Sequence, residues 1–353
     1  MTLQIVDQAP LASLTTLDLG GPARHLVTVA DEASAIEALE WADVRNLPVF
    51  VLGGGSNVVV ADAGFPGLVI RVALRGVAFE GEGDRVRVRV AAGEPWDDVV
   101  AETVRRGLGG LECLSGIPGL AGATPIQNVG AYGQDVAETI VSVTAVDRRT
   151  SRVVEFPAAA CAFGYRDSAF KREPHRWLVL DVTFALRADG VPSVRYPELA
   201  SALAGRADPF TLAGVRDTVL ALRRAKSMVI DPADPNRRSV GSFFMNPVVS
   251  TADADRLVAQ LLAEQVVADA TVVPRFPAGA GQVKLSAAWL IERAGLSRGL
   301  RAGPVGISSR HSLALVHHGG GTTAELLAFA DRVRDTVERR FGVRLQREPV
   351  VVE

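Results

Sequence analysis

A single hydroxyl flanked by a glycine and two phenylalanines is the first candidate for chemistry in this sequence. It belongs to Ser242, in the run Gly241-Ser242-Phe243-Phe244. Apolar side chains exclude water, and a lone hydroxyl in a dry site can donate a proton or hold a ligand. The same pattern is also ordinary for a turn that leads into a buried strand. Because the run alone favours the turn, its role depends on residues elsewhere in the chain.

Two glycine-rich stretches upstream could bind a ligand that carries phosphates. Gly53-Gly54-Gly55-Ser56-Asn57 directly follows a predicted strand, and consecutive glycines let backbone N–H groups face a ligand without obstruction by Cβ atoms. The second stretch, residues 111–133, is rich in glycine and proline, and loops of this length are more often functional than idle. The glycine pattern matches neither a P-loop nor a Rossmann dinucleotide site.

Length and charge are those of an ordinary soluble protein with more than one domain. A chain of 353 residues exceeds what one hydrophobic core usually organises, so two or three domains are expected. Hydrophobic residues make up 48% and charged residues 22% of the chain, which is typical of globular proteins. The formal net charge of −2 creates no overall field that would recruit nucleic acid or an anionic membrane, so neither is expected as a partner.

The cysteines and histidines indicate neither a disulfide nor a metal site. Cys113 and Cys161 lack a CxxC spacing and fit a reducing compartment as small buried hydrophobic residues. The five histidines show no spacing of metal ligands, so no metal is predicted. Residues 1–10 lack the features of a secretory signal, and no apolar run reaches the length that spans a membrane. A cytoplasmic protein is therefore predicted.

Hydrophobic periodicity predicts a mixture of helices and strands, an α+β chain. Helices are predicted over residues 31–44, 95–106, 209–225, 253–265, 285–294 and 322–341. Strands are predicted over residues 26–29, 48–52, 58–60, 68–70, 86–90, 140–146, 178–184, 313–316 and 343–345. The first strands and helix fit a small α/β layer. Arg223, Arg224 and Lys226 are interpreted as cations near a helix C-terminus, and the turn-rich segment 231–238 is a candidate domain boundary.

Taken together, these stretches resemble the UDP-N-acetylenolpyruvoylglucosamine reductases, the MurB family of flavoenzymes in peptidoglycan precursor synthesis. The resemblance runs from about residue 15 to residue 348. A triple glycine followed by Ser-Asn is shared by a wider group of FAD-binding oxidoreductases and is moderately specific. The combination of Gly241-Ser242-Phe243-Phe244, followed by Asn246-Pro247, with Gly164-Tyr165-Arg166-Asp167-Ser168 is far more specific.

The resemblance implies an α+β fold of three domains. Residues 1–76 and 77–225 would form an FAD-binding unit of the vanillyl-alcohol-oxidase (PCMH) type, and residues 343–353 could return to the first of these domains. Residues 226–342 would form a smaller α+β substrate-binding domain. The resemblance also implies non-covalent FAD and NADPH as the reductant. The substrate would be UDP-N-acetylglucosamine-enolpyruvate, which is reduced to UDP-N-acetylmuramate, and a monomer is expected.

The resemblance assigns ligand contacts to specific residues of this chain. The residues expected to contact FAD are Gly53, Gly54, Gly55, Ser56, Asn57, Ser115, Gly116, Pro118, Gly119, Gly122, Ala123, Gln127, Asn128, Gly130, Ala131 and Tyr132. The residues expected to contact the substrate are Tyr165, Tyr196, Lys226, Asn246, Phe276 and Lys284. One branch of the family has a tyrosine where Phe276 stands, so stacking on the substrate would persist while one hydrogen bond would be lost.

Arg166, Ser242 and Glu348 are the predicted catalytic residues. Hydride addition to an electron-rich enol ether requires stabilisation of the charge that develops towards the attached carboxylate. The guanidinium of Arg166 can hold that carboxylate with two hydrogen bonds, and Glu348 would share the network. Ser242 would then protonate the carbanionic carbon. Without the family pattern, Arg166 would be interpreted as a surface partner of Asp167, and Glu348 as a solvated charge.

Two other functions are consistent with parts of the sequence. An FAD-dependent oxidase of a small alcohol or sugar would keep the flavin loops, but it needs a general base rather than the trio of Arg166, Ser242 and Glu348. A module that only binds a flavin or a nucleotide sugar would need no catalytic residues. The trio therefore favours the reductase.

Overall fold

The computed structural model describes residues 3–81, 83–206 and 210–353 and confirms an α+β fold. Within these residues the helices are α1 (Glu32–Asp43), α2 (Trp96–Arg105), α3 (Thr124–Gln127), α4 (Ala169–Arg172), α5 (Pro197–Leu203), α6 (Leu212–Ala225), α7 (Thr251–Ala263), α8 (Ala287–Arg293) and α9 (Thr323–Phe341). The predicted helices correspond to α1, α2 and α6 to α9, although Pro209, the predicted start of α6, lies outside the described residues. Periodicity misses α3, α4 and α5 because each is too short to show it. No described helix is long and apolar enough to span a membrane.

The strands are distributed along the whole described chain. They are β1 (Val6–Pro10), β2 (Pro22–Val29), β3 (Val49–Leu52), β4 (Val58–Val60), β5 (Phe65–Val72), β6 (Val77–Glu80), β7 (Arg85–Ala91), β8 (Gly130–Ala131), β9 (Gln134–Asp135), β10 (Ile140–Asp147), β11 (Arg152–Pro157), β12 (Trp177–Arg187), β13 (Ser239–Ser242), β14 (Val248–Ser250), β15 (Arg275–Pro277), β16 (Gln282–Leu285), β17 (Arg301–Ala302), β18 (Val305–Ile307), β19 (Ala314–His317) and β20 (Val350–Val352). Eight of the nine predicted strands overlap β2, β3, β4, β5, β7, β10, β12 and β19.

The chain divides into two compact units. Unit 1 consists of Met1–Leu11, Pro22–Gly55 and Gly64–Ile230, and unit 2 consists of Ala12–Gly21, Ser56–Ala63 and Asp231–Glu353. The candidate boundary at 231–238 begins where the last segment of unit 2 begins. The finer division into domains 1–76, 77–225 and 226–342, with 343–353 returning to the first, stays a prediction.

Unit 1 contains the predicted small α/β layer. Its four-stranded sheet has the order β1-β2-β5-β3, and both β2 and β3 pair in parallel with β5. Helix α1 connects β2 to β3 and is capped by Asp31, whose side chain accepts a hydrogen bond from the N–H of Ser34 at 2.7 Å. The inner face of α1 buries Ala35, Ala38 and Leu39. The triple glycine directly follows the last residue of β3.

The second sheet of unit 1 is antiparallel, with the strand order β11-β10-β12-β7-β6. In β7 the valines Val88 and Val90 are buried, whereas Arg87 and Arg89 are exposed, which confirms the predicted alternation of a strand with one wet face. Helix α2 follows β7 and starts at the buried Trp96. The backbone N–H of that residue donates to the carbonyl at position 119, and its indole N–H donates to the carbonyl at position 114. Trp96 therefore attaches the glycine-rich stretch to α2.

Unit 2 contains the long helix α9, which carries the predicted capping box. The side chain of Thr322 accepts a hydrogen bond from the N–H of Glu325, whose carboxylate accepts one from the N–H of Thr322. The carboxylate of Asp62 accepts two more from the first two N–H groups of the helix, at 2.7 and 2.9 Å. Since Asp62 belongs to the segment Ser56–Ala63, these bonds hold that short segment against α9.

The strands of unit 2 form two antiparallel sheets and one parallel pair. The sheets have the orders β13-β19-β18-β17 and β14-β16-β15, and β4 pairs in parallel with β20. Side chains from these strands and from α7, α8 and α9 meet in one hydrophobic core. The last strand of the chain therefore has its partner near the beginning of the sequence.

The predicted strand over residues 343–345 is wrong. Val343 and Leu345 are buried and Arg344 is exposed, which is the alternation of a half-buried strand, but these residues belong to none of the strands that the structure describes. The first pairing after them is a single bridge between Arg347 and Phe244. The final strand is β20, because the parallel partner β4 lies beside those residues. Alternation alone contains no information on where a partner strand lies.

Both cysteines are buried and carry free thiols. This confirms the prediction of small buried residues rather than a disulfide. Burial raises the pKa of the Cys113 thiol to about 12 and the pKa of the Cys161 thiol to about 11. Both groups are therefore neutral thiols at neutral pH.

We expect iodoacetamide at about pH 8 to leave both thiols of the native protein unmodified and to modify both in urea-unfolded protein, because the thiolate is the reactive form. Because burial disfavours the thiolate, the stability of the fold also becomes pH-dependent. It is unaffected below the unfolded thiol pKa of about 8.5 and falls as the pH rises from there through about 11 and 12. Intact-mass spectrometry counts the added groups. Rapid modification of native protein at about pH 8 would contradict this account.

Candidate functional site

Ser242 ends a strand, whereas the sequence suggests that it begins one. Gly241 has a φ of 72°, a left-handed conformation that favours glycine, and the pairing of β13 with β19 shifts register between Ser239 and Ser242. The N–H of Phe243 then donates to the carbonyl of Leu313 at 2.8 Å. The irregularity leaves Ser242 half-buried at the end of β13.

Two fully buried phenylalanines follow Ser242 in the sequence. Phe243 and Phe244 are 0% and 1% exposed. Their ring centroids lie 5.4 Å apart with the ring planes at 63°, an edge-on contact of the kind that aromatic pairs prefer. Both rings belong to the hydrophobic core of unit 2. The backbone that carries Ser242 is therefore anchored by the core.

Glu348 is brought to the same place by backbone pairing. Two hydrogen bonds of 2.9 Å join residues 243–245 to residues 346–348. In one of them, the N–H of Glu348 donates to the carbonyl of Phe243, which is the residue directly after Ser242. Unit 2 thus brings together two of the three predicted catalytic residues.

Unit 1 holds Arg166, the third of them, in a tight turn. Gly164 and Asp167 exchange two backbone hydrogen bonds of 2.9 and 3.2 Å, and Arg166 between them has a φ of 52°. Its Nη1 donates to the carbonyl of Asn128 at 3.0 Å, and its Nη2 donates to the carbonyl of Gly130. Neutral carbonyl groups therefore orient the guanidinium and leave its positive charge in place.

The interpretation of Arg166 as a surface partner of Asp167 is wrong. Asp167 pairs with Arg172 and accepts a hydrogen bond from the N–H of Ser168 at 2.9 Å. The side chain of Arg166 is only 20% exposed, and its Nη1 lies 3.8 Å from Asp135. These contacts are those of a partly buried positioning turn rather than of a surface ion pair.

Tyr165 occupies the exposed side of the same turn. Its side chain is 43% exposed, and its ring centroid lies 5.6 Å from the guanidinium carbon of Arg166. This residue, which is predicted to contact the substrate, is therefore accessible next to a predicted catalytic cation.

The two glycine-rich stretches touch each other in unit 1. A Cβ atom at Gly54 would lie 2.8 Å from the Cα of Gly119, whereas a Cβ atom at Gly53 would lie 3.9 Å from the nearest side chain. Gly116 has a φ of 71°, and its N–H donates to the carboxylate of Asp97 at 2.6 Å. At Gly54 and Gly119 the backbones of the two stretches pack against each other without a side chain between them. Only glycine permits so close an approach.

The stretch 111–133 is more ordered than the sequence suggests. It contains short helical segments, including α3, and the strand β8. The hydroxyl of Ser115 donates to the carbonyl of Glu112 at 2.6 Å, and a Cβ atom at Gly122 would lie 2.5 Å from the Cβ of Ala92. Packing therefore explains the identity of Ser115 and Gly122, whatever contact they make with a cofactor.

Gln127 and Asn128 connect the end of that stretch to the turn of Arg166. The Nδ2 of Asn128 donates to the carbonyl of Gly164 at 2.7 Å, and the Oε1 of Gln127 accepts a hydrogen bond from Lys171 at 3.1 Å. Asn128 has a φ of 40°, a conformation that asparagine tolerates better than most residues. Two predicted cofactor residues thus also support a predicted catalytic residue.

The remaining predicted cofactor residues are divided between the units. Ser56 and Asn57 belong to unit 2, where the carbonyl of Asn57 accepts a hydrogen bond from the N–H of Val350 at 3.0 Å. Gly55 is buried in unit 1. The half-buried members in unit 1 are Pro118, Ala123, Gly130, Ala131 and Tyr132.

Tyr196 and Lys226, predicted to contact the substrate, lie together in unit 1. The Nζ of Lys226 bonds to both carboxylate oxygens of Glu198 at 2.6 and 2.7 Å and lies 5.9 Å from the ring centroid of Tyr132. The rings of Tyr132 and Tyr196 are 5.8 Å apart and nearly perpendicular. Burial raises the pKa of Tyr132 to about 12, so its hydroxyl stays neutral. Sequence analysis misses Glu198, because an acid in the first turn of a helix needs no functional explanation.

Phe276 and Lys284 are direct neighbours on one face of a sheet in unit 2. Lys284 on β16 lies opposite Val248 on β14 and opposite Phe276 on β15, so the three side chains share a face. Phe276 is 38% and Val248 is 42% exposed. Asn246 has a structural role nearby, because its Oδ1 accepts a hydrogen bond from the N–H of Ala287 at the start of α8 at 2.9 Å.

The described residues contain no group of three or more His, Cys, Asp or Glu side chains that could hold a metal ion. The buried His317 has a structural role. Its Nε2 accepts a hydrogen bond from the N–H of Gly321 at 3.1 Å, and its Nδ1 lies 3.0 Å from the carbonyl of Leu17. This pair of contacts requires the proton on Nδ1.

Comparison with known proteins gives matches along nearly the whole chain. Residues 23–156 match the family model of the FAD binding domain, and residues 232–352 match that of the C-terminal domain of UDP-N-acetylenolpyruvoylglucosamine reductase. The UDP-N-acetylenolpyruvoylglucosamine reductase of Thermobifida fusca is 51% identical, over 100% of this chain and 99% of the relative. That of Streptomyces avermitilis is 49% identical, over 99% of this chain and 95% of the relative. The crystal structure of UDP-N-acetylenolpyruvylglucosamine reductase (MurB) from Thermus caldophilus matches with a TM-score of 0.67 and 25% identity over the full length of both chains.

Unit 1 has the features that an FAD site requires. The diphosphate of a dinucleotide needs backbone N–H groups that no Cβ obstructs, and the contact between Gly54 and Gly119 provides bare backbone. Nearby positive charge would also stabilise the bound diphosphate. The buried Nε of Arg223 has no hydrogen-bond partner and lies beneath Gly116, 3.5 Å from where a Cβ atom would stand. These residues fit the predicted cofactor.

We expect Gly54→Ala to weaken FAD binding by about tenfold or more, which is at least about 1.4 kcal/mol. The new Cβ would lie 2.8 Å from the Cα of Gly119 and force the two stretches apart. Gly205→Ala is the matched control, because Gly205 has no predicted contact with FAD and a Cβ atom there would meet nothing within 4 Å. Fluorescence titration of the apo-proteins with FAD measures both affinities. If the two variants bind FAD equally well, close approach of the backbones is not a requirement of the site.

Proposed function

As the chain belongs to the UDP-N-acetylenolpyruvoylglucosamine reductase family, we propose that Ser242 is the proton donor in its reaction. The protein is an FAD-containing oxidoreductase that acts on UDP-N-acetylenolpyruvoylglucosamine in peptidoglycan synthesis. We take NADPH as its reductant and UDP-N-acetylmuramate as its product. Family membership favours this reaction over an FAD-dependent oxidase of a small alcohol or sugar.

The position of Ser242 is the observation that carries the proposal. Ser242 is half-buried at the end of β13, its backbone is held by the buried Phe243 and Phe244, and the N–H of Glu348 is bonded to the adjacent carbonyl. A serine hydroxyl is a very weak acid in water. Apolar neighbours and a strongly basic carbon as the acceptor favour its use as a proton donor.

The reaction adds a hydride and a proton across the enolpyruvyl double bond. When bound, FAD supplies the chemistry of hydride transfer, here to the terminal carbon of that bond. Negative charge then develops on the neighbouring carbon and its carboxylate. Ser242 gives its hydroxyl proton to that carbon, which completes the saturated product, and the serine is reprotonated from solvent.

Arg166 would stabilise the developing charge. Its guanidinium is permanently charged and is oriented by the carbonyl groups of Asn128 and Gly130, so little reorganisation is needed when the charge appears. Glu348 would complete the hydrogen-bond network around the substrate carboxylate. In this proposal Arg166 contributes a cation, Glu348 a carboxyl group and Ser242 a hydroxyl.

The other predicted substrate contacts fit the polar part of a UDP-sugar. Lys226 and Lys284 provide cations for a diphosphate, and Tyr165, Tyr196 and Phe276 are exposed enough to contact a ring. Asn246 would offer its Nδ2, since its Oδ1 already accepts from the backbone. We also propose that the enzyme acts as a monomer in the cytoplasm.

Replacement of Ser242 by alanine tests the proposal. We expect Ser242→Ala to be reduced by NADPH at the wild-type rate, but to reduce the enolpyruvyl substrate about a thousandfold more slowly, which is about 4 kcal/mol in barrier. Anaerobic stopped-flow absorbance at the flavin bands separates the two half-reactions. Ser242→Cys should recover part of the lost rate, because a thiol is also a proton donor.

Ser239→Ala serves as the control for disturbance of β13, because Ser239 lies on the same strand and has no proposed chemical role. Its two half-reactions should match those of the wild type. Unchanged substrate reduction in Ser242→Ala would remove Ser242 as the donor. Failure of NADPH to bleach the flavin of the wild type would refute the choice of reductant.

A further inference from the structure

Arg223 is buried where an amphipathic helix usually carries an apolar residue. Helix α6 buries Leu212, Val215 and Val219 along one face, and the next position of that face is four residues further on. That position is Arg223, which is 7% exposed, whereas its neighbour Arg224 is exposed. Its place near the helix C-terminus agrees with the sequence interpretation, but its burial needs another explanation.

The charge of Arg223 is poorly compensated among the described residues. Its Nη2 donates to the carbonyl of Met228 at 2.7 Å, and its Nε is buried without a partner. The carboxylate whose field reaches it is that of Asp97, but Arg216 already holds Asp97 with two hydrogen bonds of 2.6 and 2.8 Å. Two guanidinium groups therefore share one carboxylate, and one positive charge is in excess.

Asp97 also accepts a hydrogen bond from Gly116 in the glycine-rich stretch. Burial raises its pKa, but the hydrogen bonds from Arg216 and from the N–H of Gly116 outweigh burial and hold the pKa below its usual range. Asp97 is thus an ionised acceptor for Arg216 and Gly116. Glu198, the acid beside Tyr132, is likewise bonded to Lys226. Neither acid is available to pair with Arg223.

The uncompensated charge lies directly beneath the backbone of Gly116. A Cβ atom at Gly116 would lie 3.5 Å from the Nε of Arg223, next to Leu220 and Val229. Gly116 belongs to the glycine-rich stretch that touches the triple glycine through Gly119 and Gly54. Burial lowers the pKa of Arg223 to about 10, so the group remains a cation at neutral pH.

A buried cation without a counter-ion lowers the stability of the folded protein. The partial negative charge at the end of its own helix offsets only part of this cost. We propose that Arg223 is the buried counter-charge for an anionic group of the bound FAD, either the diphosphate or the reduced isoalloxazine ring. Arg223 is a positioning residue in this proposal, which rests on the FAD cofactor and is independent of the role of Ser242.

Three variants test the proposal, each studied with and without FAD. Arg223→Met removes the charge and keeps much of the apolar stem, Arg223→Lys keeps the charge, and Arg224→Gln is the matched control at the exposed neighbouring position. We expect Arg223→Met to leave the apo-protein at least as stable as the wild type in thermal unfolding, because an uncompensated charge is removed. The same variant should gain less stability from FAD. A purely structural arginine would instead lower the melting temperatures of the apo- and FAD-loaded forms equally.

Ligand binding then distinguishes the two anions. If Arg223 faces the diphosphate, Arg223→Met should lose about tenfold or more in affinity for oxidised FAD while binding riboflavin like the wild type. If it faces the reduced ring, the affinity for oxidised FAD should be kept and the two-electron midpoint potential should fall, by about 30 mV for each tenfold loss in affinity for reduced FAD. Arg223→Lys keeps the charge and should therefore retain most of the wild-type FAD affinity and midpoint potential. Arg224→Gln should match the wild type in both.

Two outcomes would overturn the proposal. One is an Arg223→Met protein with wild-type FAD affinity and wild-type midpoint potential. The other is an apo-protein that unfolds or fails to fold after this replacement, because the charge would then stabilise the empty protein. If Ser242 proves not to be the proton donor, the expected FAD affinities, melting temperatures and midpoint potentials stay the same. The two proposals can therefore fail separately.

Discussion

The hydrogen bond from the N–H of Glu348 to the carbonyl of Phe243 is the contact on which the proposed chemistry depends. Ser242 and Glu348 are more than a hundred residues apart in the sequence, and this pairing makes them neighbours within one unit. The bond is short-range and directional, so it holds only if both partner segments are fixed. Phe243 and Phe244 fix the first segment in the core. The proposed proton donor and a carboxyl group thus share one rigid backbone frame, which a flexible loop could not provide.

Unit 1 keeps two arginine side chains largely out of solvent, those of Arg166 and Arg223. Arg166 is oriented by backbone carbonyl groups, and Arg223 has one carbonyl partner and an unpartnered Nε. Arg166 also lies 3.8 Å from the carboxylate of Asp135, whereas Asp97, the carboxylate whose field reaches Arg223, binds Arg216. Such arrangements are unfavourable in an empty protein and favourable once an anion arrives. The excess positive charge at Arg223 would therefore favour the binding of an anion to unit 1.

The long periodic elements could be predicted from the sequence, whereas the roles proposed for Arg166, Ser242 and Glu348 stay predictions. Helix α9 shows its capping box in Thr322 and Glu325, and β7 shows its alternation of valine and arginine. The strand predicted at residues 343–345 fails because pairing depends on a distant partner, which no local pattern reveals. Glu198 and Arg223 are missed for a related reason. A charged residue near a helix end has an adequate local explanation, and its burial or ion pair appears only when the helix packs.

The parallel pair of β4 and β20 joins residues from nearly opposite ends of the chain. During synthesis on the ribosome, Val58–Val60 has no sheet partner until Val350–Val352 has been translated. An unpaired strand of three valines is a site for wrong association. The segments 12–21 and 56–63 must likewise remain without the rest of unit 2 until residues 231–353 have been translated, whereas unit 1 needs nothing beyond residue 230. The two units therefore become complete at different times during translation.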